Sequence, residues 1–247
     1  LSNIFQVIFV VPCFNEEKRL DSEAFLLFCR DYPSVHFCFV DDGSKDGTAH
    51  LLENLHKANS MQIQFLQLSK NQGKAEAVRQ GILHTAKQKQ FAYIGYLDAD
   101  LATPLCEIPF FVELVKQNPH LILIAGSRIS RMGASIERYL FRHYFGRVFA
   151  TIVSAMLNLR FYDTQCGAKL LKSGIVEEIF NEPFISPWLF DVEMIFRIMK
   201  AKGLTNPASL IYELPLNQWE EKGASKIKLI DLIKIPIELW KIGRKYR

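Results

Sequence analysis

The sequence predicts an α/β fold: a mostly parallel central sheet with helices on both faces and a C-terminal amphipathic helix. Three observations predict it. Short apolar runs rich in β-branched and aromatic residues recur through the first half of the chain. Stretches with helical spacing of apolar residues separate them, the alternation that builds parallel sheets. The runs also end in polar and acidic clusters, and open α/β sheets collect ligands beyond those strand ends.

The elements follow in order. Residues 4–11 form a continuous apolar run closed by Pro12, as a buried strand does. Residues 21–31 place Ala24, Leu27 and Phe28 on one helical face. A second strand, 36–40, ends in Asp41, Asp42, Gly43 and Ser44. Helix 48–57 carries Leu51, Leu52 and Leu55, and 63–68 alternates as a half-buried strand. Helix 73–89 turns Ala77, Val78, Ile82 and Leu83 inward, and strand 91–97 leads into Asp98-Ala99-Asp100. Thr103 and Pro104 supply an N-cap and a first-turn proline for a helix reaching residue 116. Strand 121–125 precedes Gly126, Ser127 and Arg128.

Beyond Arg128 the alternation weakens. Residues 135–158 read as one long helix in which Arg138, Arg142 and Arg147 are interleaved with aromatics. A short strand is expected over 166–171, a helix from Ser186-Pro187 to Lys202 stopped by Gly203, and an edge strand over 210–214. Residues 227–242 form an amphipathic helix with a proline at 236 and a basic end. Residues 1–226 are read as the main domain and 227–247 as a basic segment of the same domain. Trp188 is expected in the core.

Composition narrows the function classes. The 247 residues are 49% hydrophobic and 23% charged with a net charge of +4, so no nucleic-acid partner is indicated. The five cysteines are odd in number and lack a Cys-x-x-Cys pair, which suggests reduced thiols in a cytosolic compartment. No apolar run reaches the roughly 18–20 residues that span a bilayer. The arginine–aromatic helix and the basic C-terminal helix suit a membrane surface instead. The expected location is therefore cytoplasmic, peripherally bound to the cytosolic face of a membrane.

The chemistry centres on Asp98 and Asp100. Two carboxylates this close repel one another, and a divalent cation bound by carboxylate oxygens is the usual compensation. Such a cation keeps open positions that substrate phosphates fill. The chain has no Gly-x-Gly-x-x-Gly after a strand and no P-loop, so the loop Asn71-Gln72-Gly73-Lys74 at a helix start is read as suited to an anion or a base edge. Asp191 and Glu193 lie two apart at the beginning of a helix and cannot share a face. Asp191 is favoured as base or acceptor-orienting group, with an i,i+4 pair to Arg197 as the structural alternative for Glu193. None of the six histidines is assigned a role.

Taken together, Pro12-Cys13-Phe14-Asn15-Glu16-Glu17, Asp41-Asp42-Gly43-Ser44, Asn71-Gln72-Gly73-Lys74, Asp98-Ala99-Asp100 and Gly126-Ser127-Arg128 resemble the inverting family 2 glycosyltransferases of GT-A fold, whose sheet is Rossmann-like. Asp163 to Lys169, Phe190-Asp191-Val192-Glu193 and Trp219 with Ser225-Lys226 look like the dolichyl-phosphate glucosyltransferase and mannosyltransferase branch. The resemblance implies that Pro12, Phe14, Asn15, Glu16, Asp41, Asp42, Lys74 and Asp98 hold a nucleotide-sugar donor, with UDP-glucose expected. It implies Mg²⁺ or Mn²⁺ on Asp98 and Asp100, and catalytic roles for Asp100, Asp191 and Glu193. Arg128, Arg138, Arg142, Gln165, Lys169, Trp219, Ser225 and Lys226 would face phosphates or a polyprenyl (dolichyl or undecaprenyl) phosphate acceptor. A saccharide acceptor for a surface polymer or glycolipid is the alternative. Two departures stand out: Ala102 replaces a third polar metal ligand of the mannosyltransferases, and Gly167-Ala168-Lys169 replaces Gly-Phe-Lys. A pyrophosphorylase lacks support because no Gly-rich, Arg-containing loop follows the first strand. Intact Asp98, Asp100 and Asp191 argue against a silent binding protein.

Overall fold

A computed structural model describes residues 5–137, 140–204, 207–222 and 229–246. Arg138, Ser225 and Lys226 lie outside these residues, as does the side chain of Arg142. Among the described residues, seven strands form the main sheet in the order β3-β2-β1-β4-β7-β5-β8. They are β1 (Val7–Cys13), β2 (Val35–Asp41), β3 (Ile63–Gln67), β4 (Tyr93–Leu97), β5 (Leu123–Ser127), β7 (Ala168–Lys172) and β8 (Ile211–Pro215). Pairing is parallel except around β7, which runs antiparallel between β4 and β5.

The two faces of the sheet make two cores, because successive strand side chains point to opposite sides. Val7, Phe9 and Val11 pack with Phe25 and Phe28 of α1 (Ser22–Asp31), Leu52 and Leu55 of α2 (Thr48–Ala58) and Phe111 and Val115 of α4 (Ile108–Gln117). Ile8 and Val10 pack with Ala77, Val78 and Ile82 of α3 (Lys74–Ala86) in the opposite core. That core also takes Val153 of α5 (Leu140–Leu157), Ile175 of α6 (Ser173–Phe180), Ile195 of α7 (Phe190–Lys202) and Ile242 of α8 (Leu229–Tyr246). The expected α/β architecture is what the chain adopts.

Local chemistry fixes several boundaries. Asp21 caps α1 by accepting the Ala24 N–H at 3.0 Å. Gly203 ends α7 in the left-handed conformation at φ 60°, as the sequence predicts. Five expectations need correction. Leu27 is exposed, and Phe25, Phe28 and Cys29 form the buried face of α1. A 3-10 turn, Leu105–Glu107, precedes α4, so Thr103 is a buried loop residue rather than its N-cap. The stretch from Ser135 opens as a strand, β6 (Ser135–Glu137), paired with β9 (Gln218–Glu220), because this backbone bonds to a segment far along the chain. Helix α7 starts at Phe190; the Ser186 hydroxyl caps the preceding turn through the Trp188 and Leu189 N–H groups. Trp188 itself is 39% exposed rather than in the core.

Gly81 sets how closely α3 lies on the sheet. A Cβ there would meet Val10 Cγ1 at 2.5 Å and Val40 Cγ2 at 2.7 Å. Gly81→Ala gains about 1 kcal/mol of helix propensity but forces two stiff β-branched side chains apart, costing about 1–3 kcal/mol. We therefore expect a lower urea midpoint for Gly81→Ala; a higher one would show that the helix shifts freely.

Candidate active site

The tips of β1, β2, β4 and β5 build one edge. After β1 the chain turns at Asn15, a non-glycine residue at φ 54°. This strained turn is held from both sides: the Asn15 N–H donates to Ser44 Oγ at 3.0 Å, and Asn15 Oδ1 accepts the Lys45 N–H at 2.9 Å. The Glu16 N–H donates to Thr48 Oγ1, and its buried carboxylate pairs with Arg19 at 3.2 Å. Pro12 and Phe14 remain half-buried at the surface of the same edge.

At the tip of β2, Asp42 accepts the N–H groups of Gln72 and Gly73, each at 2.8 Å. It thereby fixes the loop that delivers Lys74 to the start of α3. Burial nevertheless pushes the Asp42 carboxyl above its ordinary value, with Asp41 adding to the effect. Asp41 Oδ1 accepts the Ser44 N–H, whereas its Oδ2 is buried with no partner among the described residues.

Beyond β4, Lys74 Nζ lies 2.5 Å from Asp98 Oδ1. Arg19 Nη2 lies 3.6 Å from Asp100 Oδ2, and Asp100 Oδ1 accepts the Ala102 N–H. Burial first, then Asp98, raise the Asp100 carboxyl above the usual range. Desolvation pulls the Lys74 ammonium down, but Asp98 and Asp191 outweigh it and hold it up. Gly167 lets this pair form: a Cβ there would sit 1.9 Å from Asp98 Oδ2.

The antiparallel strand β7 brings in a second buried group. Lys169, fully buried, places Nζ 2.6 Å from Asp191 Oδ1 and 2.6 Å from the Cys166 carbonyl. The Tyr96 hydroxyl donates to the same Asp191 oxygen. Burial and then Asp191 raise the Tyr96 phenol well above its ordinary value, so it stays a donor.

Other expected site residues fall differently. Arg128 is clamped by Asp163 through Nε at 2.5 Å and Nη2 at 2.7 Å, and it lies over the ring of Trp219, itself nearly buried. The Gln165 side-chain Nε2 is buried without a partner among the described residues, while its backbone N–H donates to Asp163 Oδ1 at 3.1 Å. Glu193 does not join the carboxylates. It accepts from Arg197 at 2.8 Å, from the Tyr246 hydroxyl at 2.8 Å and from the Ile185 N–H at 2.7 Å. The helical phase sends it to the opposite side from Asp191, into a network that also ties Arg197 to the carbonyls of Ile179, Glu182 and Pro183. This is the i,i+4 pair with Arg197 that the sequence offered as the structural alternative for Glu193. Arg19 and Tyr96 are the site residues that sequence reasoning missed. Arg19 follows the Glu16 motif by three residues, a helical-turn spacing that could have revealed it; Tyr96 carries no signal beyond sitting in an apolar strand.

Asp98 and Asp100 fit a divalent cation. Both are carboxylates, both remain partly open to solvent, and one is destabilised as an anion by the other. No cluster of three or more acidic, histidine or cysteine ligands exists among the described residues. A cavity of about 540 Å³ beside this edge is lined by Asn15, Glu17, Lys18, Arg19, Lys45 and Asp46. Another of similar size, between α5 and β8, lies away from the carboxylates.

A GT-A-type sheet with acidic strand tips defines a class of sugar-transferring proteins, and comparison with known proteins agrees. Residues 8–180 match the family model described as glycosyl transferase family 2. The chain is 32% identical to a dolichyl-phosphate beta-glucosyltransferase of Trichomonas vaginalis, across 97% of this chain and 71% of that one. It is 30% identical to the mouse dolichyl-phosphate beta-glucosyltransferase, across 98% and 76% respectively, and 28% identical to that of Saccharomyces cerevisiae, across 96% and 74%. Among solved structures, glucosyl-3-phosphoglycerate synthase of Mycobacterium tuberculosis, crystallised with Mn²⁺, UDP-glucose and phosphoglyceric acid, superposes at TM-score 0.68. The match has 16% identity and covers 97% of this chain and 80% of that one. Mannosyl-3-phosphoglycerate synthase of Rubrobacter xylanophilus also superposes at 0.68, with 15% identity and coverage of 98% and 74%. These two likenesses are of fold. The chain belongs to glycosyl transferase family 2, and it is a glycosyltransferase of GT-A fold.

Removing one partner of a buried ion pair strands the other, at about 3–5 kcal/mol. Glu193→Ala should therefore lower chemical-denaturation stability by that amount; a loss below about 1 kcal/mol would show that Arg197 is satisfied by its carbonyl contacts alone.

Proposed function

We propose that this enzyme transfers a hexose, glucose by preference, from a UDP-sugar to a polyprenyl phosphate with inversion, aided by Mg²⁺ or Mn²⁺. The observation that carries the reading is the edge where Asp98 meets Lys74 and Asp100 meets Arg19, with the buried Asp191–Lys169 pair nearby. Similarity to dolichyl-phosphate glucosyltransferases over nearly the whole chain supports the sugar and the acceptor. Pro12, Phe14, Asn15 and Glu16 would bound the nucleoside, with Asp41 and Asp42 ordering the adjacent loop. Asp98 and Asp100 would hold the cation, which when bound stabilises negative charge on the departing diphosphate. Lys74 adds a positive charge at the same place, and electrostatic stabilisation of developing charge is commonly the largest catalytic contribution.

The acceptor argument turns on Asp191. A sugar hydroxyl needs a base within hydrogen-bond reach, whereas a phosphate is already ionised at neutral pH. Asp191 Oδ1 is engaged by both Lys169 and Tyr96. It is better placed to orient Lys169 than to take a proton, which favours a phosphate nucleophile over a saccharide.

A lipid acceptor requires contact with a membrane. No described helix is long and apolar enough to cross one. Met156 of α5 packs against Gly243 of α8, and the pair of helices exposes Val148, Ile152, Ile237 and Trp240. Arg244 lies 5.3 Å from the Trp240 ring centroid, which sets a cation beside an exposed aromatic side chain, as lipid headgroups favour. Peripheral attachment at a cytosolic membrane face follows from this reading. Ile237→Ser combined with Trp240→Ser should reduce cosedimentation with anionic phospholipid vesicles while leaving the melting temperature unchanged; undiminished binding would remove this surface.

The direct test supplies labelled UDP-glucose, Mg²⁺ and a short polyprenyl phosphate. Cation-dependent label in the organic phase is expected. Its absence with every nucleotide sugar tried would refute the lipid acceptor, and a water-soluble product would favour a saccharide. Asp100→Asn should abolish this activity and cation-dependent UDP binding while the melting temperature holds or rises, because a repelled charge is removed.

A further inference from the structure

The two carboxylates suited to a divalent cation each already face a cation of the chain itself. Lys74 makes the closer approach, 2.5 Å to Asp98 Oδ1, against 3.6 Å from Arg19 to Asp100 Oδ2. Arg19 is also tied to Glu16, and the second oxygen of Asp100 accepts the Ala102 N–H. Lys74 differs in its freedom. It is the first residue of α3, and its backbone is anchored independently through Asp42 on Gln72 and Gly73. A four-carbon stem lets the ammonium leave Asp98 while the backbone stays in place.

We propose that Lys74 is an exchangeable counter-cation: it neutralises Asp98 in the empty site and moves to the donor's diphosphate when a divalent cation takes Asp98. The exchange rests on the cation-dependent donor binding proposed above and adds a coupling between the two ligands. A divalent cation arriving alone must break the Lys74–Asp98 pair and then sit beside a displaced ammonium, a like charge. A diphosphate arriving alone finds Lys74 already engaged and faces Asp98 and Asp100 unscreened. When both arrive, every charge gains a partner. By linkage, each ligand raises the affinity of the other by one common factor. The same exchange keeps the empty site from holding uncompensated negative charge at the sheet edge.

A lysine that served only as a phosphate contact would behave differently on removal: donor affinity would fall, and affinity for the cation alone would stay put. Mn²⁺ binding to the full chain, followed by electron paramagnetic resonance with and without UDP, separates the two. For Lys74→Met we expect Mn²⁺ alone to bind at least about fivefold more tightly than in the wild type. UDP affinity in the presence of Mn²⁺ should weaken, and the enhancement of Mn²⁺ binding by UDP should shrink. Lys74→Arg should retain the wild-type enhancement, and circular dichroism should report native helix content for both variants. Unchanged or weaker binding of Mn²⁺ alone to Lys74→Met would overturn the exchange. A wild-type chain that binds UDP with no dependence on Mn²⁺ would instead refute the cation-dependent reading beneath it, and the exchange would fall with it.

Discussion

The repulsion between carboxylates gathered at neighbouring strand tips is the constraint on which the rest of this structure depends. Parallel strands deliver Asp41, Asp42, Asp98 and Asp100 to one edge, and the same burial that makes a sheet stable makes those charges costly. The fold answers each one locally. Asp42 is spent on two loop N–H groups, Asp98 faces Lys74, and Asp100 faces Arg19 and a backbone amide. What remains is a raised Asp100 and a partnerless oxygen of Asp41, and both lie where substrate phosphate, cation and nucleoside are expected to meet.

Strand β7 gives the site its depth. Running antiparallel between β4 and β5, it passes Gly167 against the Asp98 carboxylate and sends Lys169 into the interior beneath it. A fully buried lysine is tolerated only with a charge partner and hydrogen bonds, and Asp191, Cys166 and Tyr96 supply this arrangement. Helix α7 then uses its two acidic residues for opposite ends. Asp191 serves the edge of the sheet, and Glu193 locks Arg197 and the C-terminal Tyr246 into the core. The last helix is thereby joined to the catalytic domain by a side chain only two residues from the site.

Much of this was legible in the sequence, for a physical reason. Parallel βα alternation converts one-dimensional order into a shared edge, so residues that end successive apolar runs can be placed together without knowing any contact. The strand-tip acids and Lys74 follow from that rule. Contacts set by distant pairing do not. The β6–β9 ribbon joins Ile136 to Trp219, and the direction of β7 is invisible in a five-residue run. Helix α6 hides in eight residues, although its stripe of Ile175, Val176, Ile179 and Phe180 has helical spacing. For Asp191 and Glu193, spacing fixed that they diverge, but which one faces the edge depends on how α7 sits on the sheet. Arg128 illustrates a further gap: a strand-end arginine reads as a phosphate contact, yet Asp163, 35 residues later, holds it bidentately.

Anomalous scattering from a crystal grown with Mn²⁺ and UDP measures the central claim most directly. The account predicts a metal peak within about 2–2.5 Å of oxygens from both Asp98 and Asp100, with diphosphate density on its far side and Lys74 moved off Asp98. Nucleotide bound with no metal at these carboxylates, or a peak elsewhere while the Lys74–Asp98 contact persists, would contradict it.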